Sequence, residues 1–475
     1  MMPKSAKPAA TNPGQRAQAP FKGLLALTTT VAILSLAWAP VRAESLVDLY
    51  QAARSYDAAY LSAKAQADSV QYQVEQAYAL LRPSLGLKAS VTRSHFDSST
   101  DLGALPPLQA SLYGGSGSSL NSNSTTKTGG LAAKMPLINR ADAAKVDQAE
   151  QSLIAAKSDL AIAENDLMAR LTQAYFDVLA AQDVLTTTEA NKKALAEQLA
   201  SAKRNFEVGN ATITDTREAQ ARFDLASAQE IAATNDLRVK RIALDQLVGR
   251  ADVVPSPLQA PINLDALAPG QMDDWVAQTT SAPTVRKAEV GLNVAKLEID
   301  KAKAGNWPTL DAVANLSRTK IDSSSFQATT SSGTNASLGL ELNMPIYAGG
   351  SIQNRIKEVL ALSEKAERDV DNAKRSVALA TRQAFAGVQS GLAQVKAYEA
   401  AEASAKLALE ATQLGYRVGV RINKDVLDAQ TALSSTQKDL YKARYDVIVG
   451  LIKLKQAAGS LKADDLVDLN KLVVH

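Results

Sequence analysis

Two stretches of the chain, Arg140–Phe206 and Ser351–Arg417, each run for 67 residues without a proline. The first also lacks glycine, and the second has only Gly387, Gly391 and Gly415. Proline and glycine are the residues that interrupt helices, so these Ala- and Gln-rich runs are expected to be continuous helices. At 1.5 Å per residue each would be about 100 Å long, far beyond a helix of a globular domain. Sevenfold apolar spacing recurs along them: Leu153, Leu160 and Leu167; Val178 and Leu185; Val370 and Val377; Phe385 and Leu392; Val388 and Val395; Leu407 and Leu414. A period of 3.5 residues predicts a left-handed coiled-coil seam, and the alanines flanking it let helices approach closely.

The chain repeats one plan. "FEVGNATITDTREAQ" (206–220) aligns with "YRVGVRINKDVLDAQ" (416–430) at an offset of 210: Val208-Gly209 with Val418-Gly419, Asp215 with Asp425, Ala219-Gln220 with Ala429-Gln430. Upstream, "MPLI" (135–138) answers "MPIY" (344–347), and "RPSLGL" (82–87) answers "WPTLDA" (307–312). Landmarks recurring in one order indicate an internal duplication. Each copy reads helix, strand, loop, strand, long helix, tip, helix.

The strands are read from period-two alternation. Leu85, Leu87, Ala89 and Val91 alternate with polar or small residues, and Leu131, Ala133, Met135 and Leu137 line one face of a return strand. The second copy offers Leu310, Ala312, Ala314 and Leu316, then Leu338, Leu340, Leu342, Met344 and Ile346. Ranges of about 83–95, 128–138, 307–318 and 336–347 give lengths near those of tilted membrane-spanning strands. A polar segment, 94–128, reads as a surface loop. Taken alone, each pair also suits an amphipathic hairpin on a soluble core. Four strands cannot close a barrel, and open edges are prohibitive in a bilayer. Two chains would give eight strands with a filled interior, and three would give twelve, wide enough for water.

Composition narrows the function. The chain has no cysteine and only two histidines, His95 and His475, which removes disulfides, thiolate chemistry and most metal sites. Neither histidine sits where a triad base could be oriented. No catalytic, cofactor or metal-ligating residue is assigned. Lys4, Lys7, Arg16 and Lys22 precede the apolar run 23–39, and "VRA" (41–43) offers small residues for cleavage before Glu44, so residues 1–43 read as an export signal. Removing its five cations leaves 47 of 52 basic residues against 49 acids, about −2, so nucleic-acid binding has no support. The expected divisions are a signal (1–43), a first repeat (44–250, hairpin 140–249), a linker (251–283), a second repeat (284–459, hairpin 351–459) and a C-terminal segment (460–475).

With its paired tips and Pro-marked strand-to-helix joints, the chain resembles the TolC-like outer membrane efflux and secretion channels (outer membrane factors) of Gram-negative bacteria, over essentially all of 44–466. The resemblance implies a mixed α+β membrane protein: a homotrimer whose four strands per chain form a 12-stranded β-barrel, continued by a long α-helical coiled-coil barrel in the periplasm. An equatorial layer would come from the linker and C-terminal segment. It implies the exit duct of a tripartite system, exporting small toxic compounds or proteins by type I secretion. Its partners would be a periplasmic adaptor (membrane fusion) protein, an inner-membrane transporter of ABC, RND or MFS type, and outer membrane lipid. Many relatives carry a lipidated cysteine after the signal, whereas this chain has none, so its anchoring falls to the barrel.

Carried over by position, Tyr416 and Arg421 match the donors of a gate latch, with Thr214 and Asp215 as partners on the first hairpin. Such a charge-assisted link near water is worth only ~1 kcal/mol, which suits a releasable gate. The same residues could equally form an ordinary inter-helix salt bridge. Asp425 and Asp428, spaced i, i+3, share a helix face. The resemblance places them at the pore constriction, as two carboxylate rings favouring cations; acids also suit a first helical turn. Val208-Gly209 and Val418-Gly419 match adaptor contacts, although turn geometry alone demands the glycines. The rival to a duct is a periplasmic or surface coiled-coil protein with a structural or adhesive role, which explains the heptads but not the strands.

Overall fold

A computed structural model describes residues 44–100, 118–258, 267–324 and 328–471. The expected export signal, 1–43, lies outside the described residues. The elements are α1 (Leu46–Tyr56), α2 (Ala58–Ala79), β1 (Ser84–Thr100), β2 (Ser118–Ile138), α3 (Arg140–Glu207), α4 (Ile213–Val248), α5 (Met272–Gln278), α6 (Pro283–Ala304), β3 (Thr309–Ser324), β4 (Ala328–Asn343), α7 (Ser351–Arg417), α8 (Asn423–Ala458) and α9 (Ala463–Asn470). The order α2-β1-β2-α3-α4 recurs as α6-β3-β4-α7-α8, so the repeated sequence is also a repeated structure.

The strands form one antiparallel sheet in the order β1-β2-β3-β4. Its ladder reaches well past the alternating segments: β1 pairs with β2 from Ser84↔Lys134 to Thr100↔Ser118. Much of the expected loop 94–128 is therefore strand, and its centre, 101–117, lies outside the described residues. At the helix-proximal end the pairing stops early. β2 has a bulge between Pro136 and Ile138, and β4 ends at Asn343, two residues before Pro345. Proline has no N–H to give a ladder, so Met344 and Ile346 leave the strand.

Register sorts the side chains by face. Leu87 lies opposite Leu131, Leu131 opposite Leu316, and Leu310, Ala312 and Ala314 opposite Leu342, Leu340 and Leu338. With Leu85, Ala133 and Met135 these make one apolar face across all four strands. It is bare: Leu87 is 78% and Leu338 86% exposed. Ser84, Gly86, Lys88, Lys134, Asp311, Asn315, Ser337 and Glu341 take the opposite face. The outer edges of β1 and β4 have no partner strand among the described residues.

The helices lie side by side. α3 packs against α4, α8, α2 and α6, and α7 packs against α8 and α6. Near the tips the sequence across is therefore α4, α3, α8, α7, with α4 and α7 on the flanks. Asn139 caps α3 through the Asp142 amide at 3.1 Å. The seam residues Leu167, Val178, Leu185, Val370, Phe385, Val388 and Val395 are buried, whereas Leu407 and Leu414 are exposed. Those two face away from the chain's own core, on the flanking helix α7.

Around the middle of α3 the shorter elements gather. Leu46 and Leu49 of α1, Val253 of the linker and Leu466 of α9 pack with Leu171 and Tyr175 of α3 and Ile452 of α8. The buried Tyr175 hydroxyl donates to the Ser256 carbonyl at 3.0 Å. Trp275 of α5 packs on Phe385 and Val388 of α7 and Leu454 of α8. The linker, α1 and α9 thus form a belt on the long helices, and residues 259–266 and 472–475 lie outside the described part.

Candidate functional site

The two helical tips are built alike. Val208 and Val418 end α3 and α7 near φ −90°, and Gly209 and Gly419 follow at φ +80°. That left-handed conformation is open to glycine at little cost. The same backbone bonds close both turns: Asn210 N–H to Asn205 O at 2.8 Å and Val420 N–H to Gly415 O at 2.9 Å. Val208, Val418, Val420 and Ile422 expose 59–79% of their surface. Both tips thus present unpartnered apolar side chains around a glycine.

The next turns differ. Thr212 caps α4, accepting the Asp215 amide at 3.2 Å, while the Asp215 carboxylate takes the Thr212 amide at 3.0 Å and hydroxyl at 2.7 Å. This reciprocal capping box occupies Asp215 within its own helix. Thr214, beside it, is exposed. The second copy has Ile422 where the first has Thr212, and α8 starts without a side-chain cap. Asp425 is therefore free of a capping bond, and among the described residues its one ion-pair partner is the exposed Arg421 at 3.6 Å. Gly415 makes room for Arg421, whose Cγ lies 2.8 Å from where a Cβ would stand.

Asp428 is held more firmly. Arg222 Nη2 of α4 reaches its carboxylate at 2.6 Å and Lys424 Nζ at 2.5 Å. The bond from Lys424, helped by the charges of Lys424 and Arg222, holds the Asp428 carboxyl below the usual range. Asp425 and Asp428 do share a helix face, but only Asp425 has an unshared carboxylate oxygen to offer.

The contacts between the hairpins form a ladder that an apolar heptad pattern does not show. On α3, Asn191, Gln198 and Asn205 stand seven residues apart, and so do their partners Gln430, Asn423 and Tyr416. Gln430 donates to Asn191 at 3.3 Å, Gln198 to Asn423 at 2.5 Å, and Asn205 to the Tyr416 hydroxyl at 3.2 Å. Asn191 and Asn423 are buried. Buried amides facing each other specify register more than they stabilise, since each bond nets only ~1 kcal/mol. Leu195, Leu199 and Ala202 of α3 fill the spaces between rungs against Ala219 and Leu427. The structure therefore joins Tyr416 to Asn205 within the chain; among the described residues Thr214, Asp215 and Arg421 make no bond across the hairpins.

Comparison with known sequences gives the family, and comparison with solved structures gives the fold. The outer membrane efflux protein family matches residues 49–250 and 279–460, the two repeats. This chain belongs to that family. Outer membrane protein TolC of Vibrio cholerae serotype O1 is 31% identical over 459 residues, 95% of this chain and 98% of that one. The proteases secretion protein PrtF of Dickeya chrysanthemi is 28% identical over 454 residues, covering 92% and 93%. Among solved structures, the outer membrane protein VceC of Vibrio cholerae superposes with a TM-score of 0.68 at 19% identity, covering 87% of this chain and 96% of that one. That likeness speaks for the fold. The chain is an outer membrane channel protein of the efflux and secretion type, in a Gram-negative outer membrane. No described helix is long and apolar enough to cross a membrane.

Proposed function

We propose that three copies assemble into one duct, with a 12-stranded barrel in the outer membrane and a helical tunnel in the periplasm. The observation that carries this reading is the pair of unfinished flanks. β1 and β4 leave long unpaired edges. Below them α4 exposes Leu225, Ile231, Val239 and Ile242, and α7 exposes Leu360, Leu379, Leu407 and Leu414. A flank of this kind is complemented by the opposite flank of a second copy, a head-to-tail contact that must close into a ring. Three copies give a barrel wide enough for water. The test is the mass of the particle extracted from outer membranes in mild detergent. Three chains are expected, and a monomer or dimer overturns the assembly.

The duct itself is passive and takes its energy from an inner-membrane transporter of ABC, RND or MFS type, reached through a periplasmic adaptor. Exposed apolar residues around Gly209 and Gly419 are the adaptor's contact. Relatives named for protease secretion and for antibiotic efflux support export of proteins as well as small toxic compounds. At the tips, the Asn205–Tyr416, Gln198–Asn423 and Arg222–Asp428 links hold the second hairpin against the first within each chain. Arg421 and Thr214, both exposed, and the Asp215 Oδ1 that the capping box leaves unused add links between neighbouring chains. Asp425 supplies the acid of the constriction, and Asp428 supports it from within its ion-pair cluster.

A further inference from the structure

The apolar face of the sheet ends abruptly in a cluster of cations. Above Leu131 and Leu316 the next positions on that face are Gly129 and Arg318, then Lys127 and Lys320. Register sets Lys127 directly opposite Lys320, an arrangement that destabilises a strand pair unless an anion lies between. Asp322 is the acid at hand, but its contacts are long, 3.7 Å to Lys127 and 3.6 Å to Lys320, and both lysines remain about half exposed. Arg318 has no ion pair among the described residues. Two of the three cations thus share one carboxylate, and the third has none. The side chains of Ala89 and Val91 and the bare backbone of Gly129 leave an open groove beside them, with a volume of 510 Å³. A side chain at Gly129 would meet nothing within 4 Å.

Position along the strand says what the groove would meet. A bilayer is crossed by about ten residues of tilted strand, and Lys127 stands about that far from Ile138, where β2 meets the helices. The apolar face of a barrel is its lipid face, so the cations sit at the outer interface, where lipid headgroups begin. We propose that this groove binds the phosphate of an outer-leaflet lipid headgroup. Lys127, Arg318 and Lys320 hold the phosphate, and the acyl chains lie on Leu131 and Leu316 below. The inference rests on the barrel of the proposed assembly, with the apolar face of the sheet turned to lipid, and not on the gate.

The test uses the full-length protein in detergent, with fluorescent bis-phosphorylated lipid A as probe and inorganic phosphate as competitor. A cation beside an anionic headgroup is worth about fivefold in affinity, so K127A/R318A/K320A is expected to bind roughly a hundredfold more weakly. G129L, which fills the floor and leaves every charge in place, is expected to lose at least tenfold. K127R/K320R keeps the charge and should bind as the parent does. Should the triple variant not fold, G129L and R318A alone carry the same test. Parent-like binding by the triple variant, or by G129L, overturns the site. Displacement by millimolar inorganic phosphate overturns the lipid and leaves a free-anion site.

Discussion

Replacing Tyr416 with phenylalanine removes one oxygen per chain and should loosen the gate. In the structure that oxygen accepts a bond from Asn205 at 3.2 Å. Its loss leaves a half-buried amide that water can satisfy, so the net cost is ~1 kcal/mol per chain. Three symmetric chains opening together would lose about 3 kcal/mol, a shift of over a hundredfold in the closed-to-open ratio. Phe206 occupies the matching place in the first repeat, so the ring itself is compatible with this turn. The assay is single-channel recording in a planar bilayer, with open dwell times and mean conductance read for parent and variant. Both are expected to rise. If Tyr416→Phe leaves the channel unchanged while Arg421→Ser raises its conductance, the links that matter run between chains, and the role given to the Asn205 bond is wrong.

Two further outcomes follow from the charges. Asp425→Asn should reduce cation selectivity, measured as reversal potential in a salt gradient, more than Asp428→Asn does, because Lys424 and Arg222 already offset the latter. An equal or opposite order would remove Asp425 from the constriction. The third concerns Glu298 of α6, which accepts from Gln148 of α3 at 2.7 Å, Lys301 at 2.6 Å and Arg355 of α7 at 2.7 Å, tying three helices below the sheet. Burial alone would raise its carboxyl, but these bonds outweigh it and hold the group at about 2, against an ordinary 4.5. A depressed carboxyl contributes stability above the ordinary value and loses it as pH falls towards 2. That contribution, about 1–2 kcal/mol after solvent screening, is absent in Glu298→Gln. The gap in thermal midpoint between parent and variant, followed by circular dichroism, should therefore be full at pH 6 and shrink below pH 4.5; a constant gap refutes the linkage.

The long helices were legible because nothing in them competes with helix: no proline, few glycines, and an apolar period that survives over many turns. The strands were legible only where one face is apolar. After Val91 in β1 and before Leu131 in β2 the residues are polar or small except for Phe96 and Leu120, so alternation fades while the hydrogen-bond ladder continues to Thr100 and Ser118. A pattern of side chains cannot report a strand whose two faces meet water. The tip contacts were hidden for a related reason. Asn191, Gln198 and Asn205 repeat every seven residues, but a search for apolar heptads passes over amides. Thr212 and Asp215 carry the spacing of a capping box, and that local bond was as visible as the latch for which Asp215 was singled out. Position carried over from relatives singled out Tyr416 and Arg421 at the second tip, but it could not say which partner each would take.

The duplication supplies a reason for the division of labour at the tips. In the first copy the polar groups bond inward: Thr212 and Asp215 satisfy each other, and Phe206 has no hydroxyl to offer. At the matching places the second copy carries Ile422, Asp425 and Tyr416. The exchange of Thr for Ile removes the cap and releases the acid, and the exchange of Phe for Tyr adds an acceptor that reaches Asn205. Asn423 and Asp428, also in the second copy, reach Gln198 and Arg222 of the first. At the start of its returning helix the first hairpin is thus closed by its own capping box, while the second has only its cross-links to the first at that level. Its α8 start lacks a cap, so breaking those cross-links leaves less local structure to resist its movement. If one hairpin of each chain swings when the duct opens, the shared bonds break in either case, and the uncapped second hairpin is the one with less of its own structure to hold it in place.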